Sequence, residues 1–406
     1  MRIALVWNDT RPLQRLSFRF ELYAEGLSRL GHEPLVVCRR GCDEGTPYPV
    51  VTADDLADVD FWRRLGATVA LTITYHRFTN HLRAMAEAGL RVVAISDSDG
   101  RVGLRTHPWA TLERMIVYRQ GLRSKLGCLK YFLGRYLGDG WSGEEEDREY
   151  LASTRASDAV VFHSPQAIDA FRRFLRRHHA DAELAPRLHV APFAVSDAFC
   201  DTPVLETRDE LLVAAGRWSD PQKDSPLLAA ALDRLLSHRP STRVHLYGRD
   251  AEPVFGPLAA RHPGLRLLGF QPHGTLIDDI RRARAVVFAS RWETGPHAAT
   301  EALALGTPVV GPPIPNLLGL AGASAPGQRG PYGTVSANRR PASLADALTR
   351  ELQAWDDGLR DPRTIAGSWR PRLRVEAVCR RLLGTLESNA NPGTRARASS
   401  ETTTYE

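Results

Sequence analysis

The chain has 406 residues, 43 % hydrophobic and 25 % charged, which supplies ample material for a buried core and excludes a disordered or collagen-like chain. Its 53 basic residues stand against 47 acidic ones and the two signs interleave, so no dedicated nucleic-acid binder is expected. No apolar run approaches the roughly 18 residues that span a bilayer, and MRIALVWNDT enters a strand pattern directly, so a cytoplasmic protein is expected. Cys38, Cys42, Cys128, Cys200 and Cys379 are scattered, which fits neither a disulfide framework nor a zinc ribbon, and no metal site is expected. Lysine occurs only at 125, 130 and 223, so Lys223 stands out against the arginines.

Short β-rich runs alternate with segments of helical period, the pattern of βαβ units and a parallel sheet. In chain order, strands are predicted at 2–7, 34–38, 68–74, 90–95, 159–163 and 188–191, with the clearest helix at 13–30 and Gly31 as its stop. The pattern restarts at 211–215 and continues through 243–247, 265–268, 285–289 and 308–310. Between the two series, residues 196–208 are rich in Pro, Ser, Thr and Asp and read as the linker. Two doubly wound, Rossmann-like α/β domains facing a cleft are therefore expected, an acceptor-side domain over 1–205 and a ligand-binding domain over 206–368. A helix over 369–388 is expected to cross back to the first domain, followed by a disordered tail over 389–406.

The stretch RWETGPHAATEALALGTPVVG sets Glu293 on a loop leaving a strand and Glu301 inside a helix begun near Pro296, so both carboxylates can face one cleft. There a carboxylate can accept hydrogen bonds from the vicinal hydroxyls of a ribose. Between them the backbone of Gly295, Pro296, His297 and Ala298 opens the helix, where N–H groups favour phosphate or sugar oxygens. The alternative is a solvated helix carboxylate at 301 and a dipole-favoured charge at 293. After the strand LLVAA, Gly216 lets the chain turn, and Arg217 and Lys223 are cations beside the next helix, a clamp for a diphosphate. Gln271, in the loop opening GFQPHG, is placed to meet a base edge.

These residues resemble glycosyltransferase family 4, retaining enzymes of GT-B fold, over about residues 188–388. The E-x7-E pair matches Glu293 and Glu301, the GR…K signature matches Arg217 and Lys223, and A-x-G-x-P-V-V matches Ala304 to Val310. The resemblance implies a hexosyltransferase using a nucleotide diphosphate sugar, with no cofactor beyond that donor and a glycan or lipid-linked acceptor. It implies that Glu293 contacts the transferred sugar, Glu301 the ribose, and Arg217 with Lys223 the diphosphate. Cell-surface polysaccharide, glycolipid or other glycoconjugate synthesis is the implied setting. A sugar-nucleotide epimerase and a non-catalytic sugar-nucleotide or glycan-binding module are the alternatives.

The first half resembles the family only in outline, because NDTRPLQRLS replaces the glycine-rich loop after the first strand. His76 and Asp97 fall at strand ends, where acceptor-side polar residues are expected. SDSDG also reads as a D-x-D metal motif, although such spacing is common in turns. At 119–137 a leucine stripe flanked by Arg119, Arg123 and Lys130 is placed on the acceptor side of the cleft. Gly127 and Gly134 favour a core-facing helix there, and peripheral contact with the inner membrane face is the alternative.

Overall fold

The computed structural model describes residues 1–7, 18–39, 46–73, 78–118, 133–134 and 141–388. Among them, the strands form two separate sheets. The first joins β1 (Arg2–Trp7), β2 (Glu33–Cys38), β3 (Val50–Thr52), β4 (Val69–Ile73), β5 (Arg91–Ile95), β6 (Ala159–Phe162) and β7 (Leu188–Val190) in the order 3-2-1-4-5-6-7, every pairing parallel. The second joins β8 (Leu211–Ala215), β9 (Arg243–Tyr247), β10 (Leu265–Gly269), β11 (Ala285–Val287), β12 (Val309–Gly311), β13 (Arg329–Gly330) and β14 (Gly333–Val335) in the order 10-9-8-11-12-14-13. Only its β13–β14 pairing is antiparallel. Strands such as Ile3–Val6 and Leu211–Ala214 are buried on both faces, as a sheet covered by helices on either side requires.

Two hydrophobic clusters sandwich each sheet. The helix Pro362–Leu373 completes the second domain through Ile365, Trp369 and Leu373. The helix Val375–Ser388 instead buries Val375, Val378, Cys379 and Leu382 in a cluster of the first sheet. It lies against the helix Phe18–Arg29 so closely that a Cβ at Gly26 would sit 2.7 Å from Cys379 Sγ. Residues 196–208 hold the short helix Asp197–Asp201, whose carboxylates take Arg29 and Arg374.

Some details differ from the sequence reading. Of the helix predicted at 13–30, residues 13–17 lie outside the described residues, and the helix ends at Arg29. β3 and β14 are three residues long and β13 two, too short to show a period. His76, the stripe at 119–137 apart from 133–134, and the tail at 389–406 lie outside the described residues.

In the second domain, Arg360 and Glu351 form a buried pair 2.5 Å apart, which Thr334 and the carbonyls of Gly330 and Pro331 complete. Arg360→Ala strands the carboxylate and is expected to cost about 3–5 kcal/mol, read by denaturant unfolding. A loss below about 1 kcal/mol would mean that water solvates Glu351.

Candidate functional site

In an open α/β sheet, ligands bind outside the carboxyl ends of the strands where the strand order reverses. In the second sheet that point lies between β8 and β11. The loop after β8 carries Gly216, Arg217 and Lys223, and the loop after β11 carries Ser290 and Glu293. Lys223 Nζ donates to Glu293 Oε1 at 2.7 Å, and Ser290 Oγ donates to the same oxygen at 2.6 Å. Glu293 is only 6 % exposed. The backbones of the two loops are joined as well: Arg291 N–H donates to the Gln222 carbonyl at 2.8 Å, and Gln222 Nε2 donates to that of Trp292 at 2.8 Å. Two residues 70 apart in sequence are thus fixed as one charged unit at the cleft edge.

Glu301 lies inside the helix His297–Ala304 and is 7 % exposed. Burial without a neighbouring cation pushes its carboxyl up to about 7. The solvated-carboxylate reading is therefore wrong for this residue. Its carboxylate makes no hydrogen bond or ion pair among the described residues, which leaves its acceptor oxygens available to a ligand.

Arg217 is exposed, and its guanidinium likewise makes no hydrogen bond or ion pair among the described residues. Lys223, by contrast, is paired with Glu293, so the two cations are not equivalent as a clamp. Gly216 also needs correction. A Cβ there would make only ordinary contacts, with Trp218 at 3.6 Å and Lys223 Cγ at 3.7 Å. The conformational demand falls on Gly248 after β9, with φ 112°, where a side chain would overlap the Gly216 carbonyl.

Pro296 precedes the helix in extended conformation (φ −73°, ψ 101°), so His297 is the first helical residue and Ala298 the second. Gly295 is required by packing, since a Cβ would overlap the Phe193 ring. That ring lies between His163, centroids 3.7 Å apart, and His297, 4.6 Å away and nearly parallel. Gly295→Ala is expected to cost about 1–3 kcal/mol by overpacking, measured by thermal unfolding. Phe193→Leu in the same chain should recover part of the loss, and no recovery would locate the strain elsewhere. Gln271, half-buried before the helix His273–Arg282, spends its amide on the Leu268 carbonyl at 2.8 Å.

On the first domain, Asp97 is half-buried beyond the end of β5. The D-x-D reading of SDSDG fails for a physical reason. Asp99 is fully buried and taken up by Arg101 and Arg114, each at 2.5 Å. Burial alone would raise its carboxyl, but the two guanidinium groups hold it below the ordinary value. Among the described residues, no cluster of His, Cys, Asp or Glu could hold a metal ion.

Several residues at this site had no signal in the sequence. Asn316 Nδ2 donates to the carbonyls of Glu293 at 2.6 Å and Thr294 at 2.8 Å, and its Oδ1 accepts from Ser164 of the first domain at 2.7 Å. Asp224, in left-handed conformation (φ 48°) beside Lys223, takes Arg291 at 2.8 Å and Arg339 at 2.5 Å. Asp220, three residues before Lys223, caps the turn Pro221–Lys223.

Residues 209–354 match the family model of glycosyl transferases group 1. Among solved structures, the chain resembles a sucrose-phosphate synthase from Thermosynechococcus elongatus at 16 % identity and a TM-score of 0.59, covering 95 % of this chain and 98 % of that one. It resembles a glycosyltransferase from Rickettsia africae at 12 % identity and a TM-score of 0.60, covering 96 % and 99 %. It also resembles Anabaena HepE, solved in complex with UDP and glucose, at 14 % identity and a TM-score of 0.57, covering 96 % and 100 %. No curated protein matches the sequence. Residues 209–354 thus resemble the glycosyl transferases group 1, on a chain whose two-domain fold is that of the GT-B glycosyltransferases.

Proposed function

We propose that the chain is a retaining hexosyltransferase of the family 4 type, moving a hexose from a nucleotide diphosphate sugar to a hydroxyl acceptor. The observation that carries this reading is the Lys223–Glu293 pair at the switch point, with the buried Glu301 on the helix that follows. Lys223 and Arg217 face the diphosphate, and Lys223 stabilises the charge that grows on it as the glycosidic bond breaks. Glu293, held by Lys223 and Ser290, contacts the transferred sugar, and Glu301 accepts hydrogen bonds from the ribose hydroxyls. The amides of Gly295, His297 and Ala298 at the helix start face the donor oxygens, while Gln271 borders the base. The acceptor attacks from the face the diphosphate leaves, which keeps the anomeric configuration and needs no protein nucleophile. The reaction uses no metal and no cofactor beyond the donor.

The acceptor is a glycan or a lipid-linked glycan, with Asp97 on its side of the cleft, in glycoconjugate synthesis at the inner membrane face. Trp109, on the helix Pro108–Tyr118, is 78 % exposed, and residues 119–137 hold five cations and no acid, which supports contact with an anionic surface. Among the described residues no helix is long and apolar enough to cross a membrane, so such contact is peripheral.

A thermal-shift panel of UDP, GDP, ADP and TDP sugars tests the donor assignment. UDP sugars lead it because HepE holds UDP. A bound donor at ~100 times its Kd adds about 2.7 kcal/mol to stability. No stabilisation by any member would remove the donor site.

A further inference from the structure

The two domains meet in two regions of opposite character. One is dry: Ser164 and Asn316 are both buried and hydrogen-bonded at 2.7 Å. Beside them, a Cβ at Gly319 would lie 2.6 Å from Gln166 Oε1 and 2.7 Å from Ser164 Cβ, so the helices Pro165–Arg177 and Pro315–Ala321 touch across the boundary. Such a contact is insensitive to salt and costly to open.

The other region is charged and partly open to water. Glu113, on the first domain's helix Pro108–Tyr118, accepts from Arg291 at 2.9 Å and from Arg339, both on the second domain. Each arginine turns its other amino group to Asp224, so two carboxylates and two guanidinium groups close a four-membered ring. Arg101 adds a hydrogen bond to the Arg291 carbonyl at 3.2 Å. The side chains of Glu113, Arg291 and Arg339 are 21 %, 31 % and 24 % exposed, so salt weakens this region far more than the first. Its position ties it to the chemistry: Arg291 lies two residues before Glu293, and Asp224 directly follows Lys223.

We propose that Glu113 is a positioning residue that closes the first domain over the donor site. By docking between Arg291 and Arg339, it draws the helix Pro108–Tyr118 onto the loops carrying Lys223 and Glu293, with the Ser164–Asn316 contact as the fulcrum. The consequence for catalysis rests on the donor reading above, whereas the closure itself does not. Without Glu113, the ring keeps Asp224 with its two arginines, so the donor half stays assembled while the first domain loses both charged bonds here and keeps the longer Arg101 hydrogen bond.

The test uses the full-length protein carrying Glu113→Gln, which keeps the shape and removes the charge, with Arg339→Gln releasing the same carboxylate from the other side. Small-angle scattering reads closure without any chemistry. Between about 0.1 and 1 M salt the screening length falls from about 10 to about 3 Å, so the wild type should expand over that range. Both variants should already be expanded at the low end and respond little to further salt. In steady-state assays, kcat/KM for the acceptor should fall about tenfold, equivalent to about 1.4 kcal/mol, while the equilibrium Kd for the nucleoside diphosphate stays within about twofold. Variants with the wild-type radius of gyration and salt profile would overturn the proposal. So would a loss of nucleotide affinity matching the loss of turnover, which would place Glu113 at the donor instead. If the wild type transfers no sugar, the donor reading fails, and the scattering arms still decide closure.

Discussion

Lys223→Ala is expected to lower kcat by roughly 10²–10³ with circular dichroism unchanged, because in the proposed reaction the side chain faces a diphosphate whose charge grows in the transition state. The loss should appear in kcat more than in donor KM, since an interaction that strengthens along the reaction acts on the chemical step. Arginine at 223 should rescue only partly. A guanidinium fork does not present one compact charge both to a diphosphate and to Glu293 Oε1, which Nζ now meets at 2.7 Å. Undiminished kcat in Lys223→Ala would take this residue out of the mechanism, leaving it as the counter-ion that allows Glu293 to be buried.

Glu301→Gln should make the protein more stable and bind its donor worse. The ordinary glutamate value of 4.5 applies to the unfolded chain and about 7 to the folded one, so the folded state favours the proton. Relative stability from this group is full below pH 4.5 and is lost as pH rises through 7, a cost on the order of 3 kcal/mol above neutrality. Glutamine removes that cost. Glu301→Gln should therefore melt higher than wild type at pH 8, with the difference vanishing near pH 4.5. In the proposed donor complex ribose hydroxyls stabilise the ionised carboxylate, so wild-type donor affinity should rise with pH through 7, and in Glu301→Gln it should be weaker and flat. Thermal unfolding and calorimetric titration against pH read the two effects. Wild-type affinity at pH 8 in Glu301→Gln would show that no ribose reaches this carboxylate.

The sheets were legible because parallel strands buried on both faces read as apolar runs, and the second series made the two-domain division visible. That Lys223 and Glu293 leave neighbouring strands and Glu301 sits in the following helix was legible through spacing, helped by the rarity of lysine. What stayed hidden depends on distance along the chain. Glu113 lies 178 residues from Arg291 and 226 from Arg339, and in so arginine-rich a chain no local pattern marks either partner. Gly248 was passed over for Gly216 because only the fold shows which glycine approaches the other's carbonyl. Asp99 read as half of a metal motif because sequence gives the spacing of two carboxylates but not the arginines that neutralise one of them.

The central claim is that a hexose leaves a nucleotide diphosphate at the Lys223–Glu293 unit and reaches a hydroxyl with its configuration kept. The most direct measurement is an NMR assay of the anomeric configuration of product, formed from whichever nucleotide sugar stabilises the protein and a panel of glycan and lipid-linked acceptors. The predicted result is a new glycosidic bond with the donor's configuration and stoichiometric release of nucleoside diphosphate, both lost in Lys223→Ala. Inverted product, or an epimerised sugar still attached to its nucleotide, would contradict it.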